Sequence, residues 1–367
     1  MPSAPPPRGS LSSAIPPLIL GTGTFNTQYV PAPTRMPYAS IVSRALSLGI
    51  RAFDTSPYYG PSESLLGEAL AAAKPERRDI FLITKAGRRG PADFDYTRKG
   101  IRASVERSLE RLRTDYLDLV YCHDVEFVSP EDVLEAVAEL RQLREEGLVH
   151  YVGISGYPLP VLTATAKLVL QRTGEPLDAV LSYSHFTLQN TTLGSPQTLE
   201  AFHEARVDVV LNASMLSMGL LTSRGVDAAP MAAWHPAPAE LRTKCRDLKV
   251  FAEAEGMGLE EVAIRWSLST WATAASPFGT VSQGGNRTGV SVAGVSSVAE
   301  LEETWRVWQE VSAEMRDGAN GGSKTDRVRK LAQEKMWPAL GRWKDYTWAS
   351  PGEDYVPVGP SKPGPKL

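Results

Sequence analysis

Four residues in this chain of 367 could together move a proton and hold a substrate oxygen: Asp54, Tyr59, Lys85 and His123. A phenol titrates near ~10 and is almost wholly neutral at pH 7. An ammonium beside it favours the phenolate and lowers that value, each unit being worth ~1.4 kcal/mol. An aspartate paired with the buried lysine keeps it charged, and a histidine can hydrogen-bond the substrate oxygen. The set makes a proton donor–acceptor able to work with a hydride carrier. Each member alone has a plainer explanation. Asp54, before Thr55-Ser56-Pro57, suits a turn; Lys85 suits a strand-end snorkel; His123 suits a hydrogen-bonded core histidine; and Tyr59 suits packing in a Tyr-Tyr-Gly turn. What decides between these readings is whether the four share one place in the fold.

The elements that position them alternate along the chain. Short apolar, β-branched or aromatic runs occur at Leu18–Leu20, Ile50–Phe53, Ile80–Ile83, Tyr116–Tyr121, Val149–Ile154, Ala179–Ser182, Val207–Leu211 and Val290–Ala293. Runs so apolar suit parallel strands buried on both faces. Helical spacing lies between them. Ser129-Pro130-Glu131-Asp132 supplies an N-cap, a proline at the first turn and early acids, and Gly147 stops that helix. Thr97–Leu112 spaces Ile101, Val105, Leu109 and Leu112 along one face, with Arg102 and Glu106 four apart on the outer one. Eight strand–helix units predict an α/β fold, a closed (β/α)8 TIM barrel, with an open doubly wound sheet as the alternative. The strand ends then carry Gly21–Phe25, Asp54, Lys85, His123-Asp124, Ser155-Gly156, Ser182, Asn212–Ser214 and Gly294–Ser297. In such a barrel the chemistry sits beyond the carboxyl ends of the strands. The Asp, Tyr, Lys and His therefore converge on one rim, and four independent turn ornaments would not.

The long interval before the last strand holds a Pro/Ala-rich loop (Ala228–Ala239), helices over Leu241–Glu255 and Leu259–Leu268, and a Gly/Ser-rich loop (Ser276–Gly289). The two loops are expected as insertions near a mouth of the barrel. The expected organisation is a flexible tail over 1–14, a single barrel domain over 15–350 and a second Pro-rich tail over 351–367. The aromatic segment Trp337–Trp348 is expected either over the substrate or beneath the barrel.

Composition narrows the classes. With 39 Lys+Arg against 42 Asp+Glu the formal charge is −3, which lacks the footprint of a nucleic-acid binder. Two cysteines, Cys122 and Cys245, suit a reducing compartment. No apolar run approaches the ~20 residues of a bilayer crossing, and the first residues lack a signal-peptide core. The histidines and cysteines show no ligand spacing, so no metal is expected. Gly21-Thr22-Gly23 fails as a dinucleotide fingerprint, because position 26 is Asn26 and a proline-bearing stretch follows where a helix should start.

These residues resemble the aldo-keto reductase superfamily across roughly 18–310. The stretch Gly49–Gly60, with Asp54-Thr55-Ser56-Pro57-Tyr58-Tyr59-Gly60, is similar to its Asp-Thr-Ala…Tyr-Gly signature, and Ser62-Glu63 and Leu66–Leu70 continue it. Ile83-Thr84-Lys85 resembles the lysine strand, Tyr121-Cys122-His123-Asp124 the histidine strand, and Gly153-Ile154-Ser155 the nicotinamide-amide site. The resemblance implies an oxidoreductase binding an extended nicotinamide dinucleotide, with Tyr59 as general acid/base, Lys85 and Asp54 tuning it and His123 orienting the substrate. It also implies cofactor contacts from Gly23, Thr24, Asp54, Ser155, Ser182, Ser214, Leu216, Gly219, Gly294, Ser296, Ser297, Glu300 and Glu303. Phe25 and Tyr58, with Tyr59 and His123, are candidates for the substrate site, and Trp348 for its wall.

Departures from the family pattern are Gly156 for an amide-binding asparagine, Ser182 for a glutamine and Ala213 for a stacking tyrosine. The runs Leu181–Phe186 and Leu211–Leu220 resemble the family's sugar-dehydrogenase branch, which implies oxidation of an aldose of the D-arabinose, L-galactose or L-fucose type at C1 to its lactone. NADP would need cations where Val295 and Glu300 stand. A carboxylate there repels a 2′-phosphate and suits a ribose hydroxyl, so NAD is expected, Arg287 being the other possible source of charge. An NADPH-dependent reductase of aldehydes or ketones is the alternative function, and a barrel kept as a non-catalytic redox sensor or scaffold the third. The resemblance further implies a monomer; the two cysteines suit the cytosol, and Pro365-Lys366-Leu367 lacks the serine of a Ser-Lys-Leu peroxisomal address.

Overall fold

The computed structural model describes residues 9–282, 285–317, 322–352 and 355. Eight parallel strands close into a barrel: β1 (Leu18–Gly21), β2 (Ala52–Asp54), β3 (Phe81–Ala86), β4 (Leu117–His123), β5 (Val149–Gly156), β6 (Ala179–Tyr183), β7 (Val209–Ala213) and β8 (Val290–Gly294). Each pairs with its sequence neighbours, and β8 closes on β1 through Gly21 and Gly294. This is the expected (β/α)8 TIM barrel. Period-two alternation explains its core. Ile19, Ala52, Phe81, Leu119, Tyr151 and Leu181 point to the axis, while their neighbours pack under the helices. Gly153 shows how tight the interior is: a Cβ there would lie 2.8 Å from Cδ1 of Tyr121 and 2.5 Å from the Ala179 carbonyl oxygen.

Helices α1 (Tyr38–Leu48), α2 (Ser62–Ala73), α3 (Arg98–Leu112), α4 (Pro130–Glu145), α5 (Leu159–Thr173) and α6 (Pro196–Glu204) follow the first six strands. The Ser129 cap is a full capping box with Asp132, as the sequence pattern demands. Arg102 departs from expectation. It reaches across to α4, meeting Glu139 at 2.8 Å and Glu146 at 2.7 Å, because two carboxylates on the neighbouring helix outcompete Glu106 on its own. After β7 come α7 (Ala239–Asp247), α8 (Lys249–Ala254) and α9 (Leu259–Ala274), where a single helix over Leu241–Glu255 was expected; α9 runs six residues beyond Leu268. Helix α10 (Val298–Asp317) follows β8.

The two insertions lie at opposite ends. Trp234, from the first, donates to the Gln28 carbonyl at 2.8 Å and so joins the β1 loop above the carboxyl ends of the strands. The second forms a short hairpin, Thr280–Val281 with Arg287–Thr288, at the amino-terminal end; residues 283–284 lie outside the described ones. There Thr280 donates to the Ser12 carbonyl at 3.2 Å.

That contact corrects the expected tail over 1–14. Residues 1–8 lie outside the described ones, but a single turn, Leu11–Ser13, plugs the barrel floor. Leu11 and Ile15 are buried among the interior side chains, and the Ser12 amide donates to Asp208 at 2.9 Å. Leu and Ile spaced four apart carry enough apolar surface to close a barrel end, whatever the prolines before them do. At the other terminus Tyr355 donates to the Phe127 carbonyl at 2.7 Å, so the expected tail is anchored at least there; residues 356–367, with Pro365-Lys366-Leu367, lie outside the described ones. Leu11→Ala should therefore cost about 2–5 kcal/mol of unfolding free energy in denaturant titration, whereas a residue in a loose tail would change nothing.

Candidate active site

Asp54 and Lys85 end neighbouring strands and face the axis. Lys85 Nζ donates to Asp54 Oδ1 at 2.6 Å and to the Thr55 carbonyl at 2.8 Å, with both side chains almost fully buried. An ammonium has three hydrogens, and the third side of this one faces Tyr59, whose ring centroid lies 4.9 Å from Nζ. Burial pulls the Lys85 pKa down, but Asp54 and Tyr59 outweigh it and hold the lysine above its ordinary value. It stays a cation. For Tyr59, burial pushes the phenol up against the downward pull of Lys85, and Asp54 and Asp124 add to the rise. The net direction is upward, which corrects the expectation that the ammonium lowers it: excluding water from a phenolate costs more than one neighbouring cation returns.

His123 ends β4 with its ring perpendicular to that of Tyr59, the centroids 5.9 Å apart. Its Nδ1 is 3.0 Å from Ser56 Oγ, and its Nε2 is 3.4 Å from Asp124 Oδ2. Burial lowers its pKa to about 3, so the imidazole is neutral at physiological pH. The Tyr96 hydroxyl fixes its backbone by donating to the His123 carbonyl at 2.6 Å. Asp124 has a left-handed backbone, φ +57°, which turns its carboxylate back to His123 and to Arg88. Arg88 in turn lies over the Tyr58 ring, 3.9 Å from its centroid. Asp54, Tyr58, Tyr59, Lys85 and His123 thus meet on one rim.

The expected cofactor residues divide. Gly23 sits beside the phenol ring, where a Cβ would be 3.7 Å from Tyr59 Cε2, and Thr24 ties the β1 loop to the Val295 carbonyl at 2.5 Å. Ser155, opposite His123 in register, is buried at the end of β5. Ser214, Leu216 and Gly219 lie on a partly exposed loop after β7, in which Ser214, Ser217, Met218 and Gly219 all have positive φ. The Ser217, Gly219 and Leu220 amides there donate to the Ser214, Leu216 and Ser217 carbonyls, which makes the loop a compact set of turns. Gly294, Ser296, Ser297 and Glu300 surround the start of α10. The orphaned carboxylate oxygen Asp54 Oδ2, buried and without a hydrogen-bond partner, also suits a hydroxyl-bearing ligand. These residues fit a nicotinamide dinucleotide.

Others are not brought to the site. Ser182 faces away between inward Leu181 and Tyr183, with its hydroxyl 3.3 Å from His185 Nδ1. Glu303 is exposed one turn along α10. Phe25 is sealed in the hydrophobic core with no exposed surface, because the β1 loop folds it inward, so it does not line a pocket. Sequence reasoning missed Ser56, Arg88, Asp124 and Tyr183. For Tyr183 the signal was present: alternation from Ala179 and Leu181 turns it inward, beside Ala213. Trp348 stacks on Tyr157, centroids 5.0 Å apart, and Gln189 holds the Trp343 and Tyr346 carbonyls. The aromatic segment therefore lies at the carboxyl-end rim and not beneath the barrel.

The aldo/keto reductase family model matches residues 17–317. The chain belongs to that family. It is an oxidoreductase acting on CH–OH groups, in a family that uses nicotinamide cofactors. It is 40% identical over 294 residues to a D-arabinose 1-dehydrogenase of Saccharomyces cerevisiae, covering 79% of this chain and 82% of that protein. It is 36% identical over 231 residues to an L-galactose dehydrogenase of Arabidopsis thaliana, covering 62% and 69%. Among solved structures, the glycerol dehydrogenase of Gluconobacter oxydans shares the fold, with a TM-score of 0.60 at 20% identity over 93% of this chain and 97% of that one. Among the described residues no group of acids, histidines and cysteines is placed to hold a metal ion, and no helix is long and apolar enough to cross a membrane. Tyr59→Phe should lower turnover by roughly 10²–10⁴-fold while leaving cofactor affinity, read by fluorescence quenching, nearly unchanged.

Proposed function

We propose that this aldo/keto reductase is an NAD-dependent aldose 1-dehydrogenase, which oxidises a sugar of the D-arabinose, L-galactose or L-fucose type at C1 to its lactone. The observation that carries the reading is the connected Asp54–Lys85–Tyr59 and His123 rim in a chain 40% identical to a D-arabinose 1-dehydrogenase. When bound, the nicotinamide supplies the hydride acceptor. Tyr59 takes the proton of the anomeric hydroxyl, the Lys85 cation stabilises the phenolate that does so, and His123 hydrogen-bonds the same oxygen. Asp54, Ser155, the Ser214–Gly219 loop and the start of α10 would hold the dinucleotide.

The preference for NAD is supported by Glu300. Its Oε2 accepts from the Ser296 amide at 2.7 Å, so the anion-seeking start of α10 already carries a carboxylate. A 2′-phosphate brought there meets like charge. Arg287 does not offset this, since it lies at the floor of the barrel, 3.8 Å from Asp208. The free, buried state of Cys122 and Cys245 supports a reducing compartment, and we place the enzyme in the cytosol as a monomer.

The test is cofactor reduction followed by absorbance with D-arabinose, L-galactose, L-fucose and D-glucose, each with NAD and NADP. Turnover of one of the first three sugars with NAD is the expected result. Silence with all four, together with NADPH oxidation by simple aldehydes, would establish a reductase in its place. NAD should be preferred by about tenfold or more in kcat/KM, the equivalent of ~1.4 kcal/mol, and Glu300→Arg should narrow or reverse that ratio. Because Tyr59 works as a base and burial raises its pKa, the phenolate fraction grows with pH. Sugar oxidation should rise from pH 6 to 10 without a plateau; a flat profile with chemistry limiting the rate would remove Tyr59 as the base.

A further inference from the structure

A neutral imidazole has two unlike nitrogens, one bearing hydrogen and one a lone pair. Which is which in His123 is settled by what lies beside each. Ser56 is fully buried at the end of β2, and the Tyr58 amide, which can only donate, reaches its Oγ at 3.1 Å. That oxygen has a second lone pair, but among the described residues His123 Nδ1, 3.0 Å away, is the one acceptor in reach of the buried hydroxyl, so its hydrogen points there. Nδ1 is thereby an acceptor, and the ring hydrogen sits on Nε2. The other end agrees: Nε2 faces Asp124 Oδ2 at 3.4 Å, and a carboxylate can only accept.

We propose that Ser56 is a positioning residue that, with Asp124, locks His123 in its Nε2–H tautomer. The kinetic consequence rests on the dehydrogenase reading. As Tyr59 removes the proton from the C1 hydroxyl and C1 gives up its hydride to the bound cofactor, the oxygen becomes a carbonyl that offers only lone pairs. An Nε2–H donor stabilises that oxygen, whereas the opposite tautomer sets a lone pair against it. The 3.4 Å separation from Asp124 is long for a hydrogen bond, so a substrate oxygen takes the Nε2 hydrogen at little cost. Arg88, which also pairs with Asp124, keeps the carboxylate compensated when that happens.

The experiment is long-range ¹H–¹⁵N correlation on the full chain labelled at histidine, with the His123 peaks identified by their loss in His123→Asn. The wild type should show the Nε2–H pattern. Ser56→Ala should move His123 to mixed or Nδ1–H tautomers and lower kcat about tenfold, as expected from one lost hydrogen bond, with cofactor KM unchanged. Ser56→Thr, which keeps the hydroxyl, should restore both. An Nδ1–H pattern in the wild type overturns the proposal even if no variant folds, and so does an unchanged Nε2–H pattern in Ser56→Ala. The expected tautomers in a protein that oxidises no sugar would fault the dehydrogenase reading and leave the role of Ser56 standing.

Discussion

A cation enclosed in a barrel of apolar side chains must be neutralised and hydrogen-bonded, and the placement of Lys85 imposes that demand on everything around it. Asp54 has to face inward on the adjacent strand, and the chain just after it has to present the Thr55 carbonyl. The turn carrying Tyr59 is fixed by the same loop. Thr55 and Ser62 hydroxyls lie 3.0 Å apart, and Ser62 is 2.7 Å from Thr22, which itself donates to the Asp54 carbonyl. A small buried hydroxyl network thus clamps both ends of the Tyr59 turn to β1 and β2. The site is built on strands and on a short, fully bonded turn, so its geometry is inherited from the barrel and not left to a mobile loop.

The barrel also separates stability from chemistry. Its floor is closed by Leu11 and Ile15 and tied through Ser12 to Asp208 and Thr280. Its rim is polar, pre-paired and partly open. The floor can therefore be tightly packed without restricting ligand access, and the rim holds its buried cations in pairs, Lys85 with Asp54 and Arg88 with Asp124.

What was legible in the sequence follows from which forces are local. Strand positions and the capped start of α4 could be read because alternation, capping and proline placement act over a few residues. Asp54, Tyr59, Lys85 and His123 could be read because a strand end in a barrel is a fixed place. Contacts across the fold could not. Arg102 chose partners on α4, Ser182 turned to His185, and Phe25 sank into the core. The direction of the Tyr59 shift was also hidden, because a sequence names the neighbouring cation but not the amount of water excluded.

The same reasoning accounts for Asp124. A non-glycine residue at φ +57° is held in a sparsely populated conformation and persists only where its surroundings over-determine it. Here they do: Arg88 binds its carboxylate, His123 Nε2 faces that carboxylate, and Tyr96 pins the preceding carbonyl. Aromatic rings close the arrangement, since the Arg88 guanidinium lies over Tyr58 and is 5.0 Å from the centroid of Phe127. Excluding water makes each of these bonds stronger and each unpaired group more expensive. The rim is thus organised before any substrate arrives, and a reacting oxygen placed between Tyr59 and His123 meets donors and acceptors that need not reorganise. The strained backbone of Asp124 is what lets one carboxylate serve both the Arg88 guanidinium and the His123 imidazole.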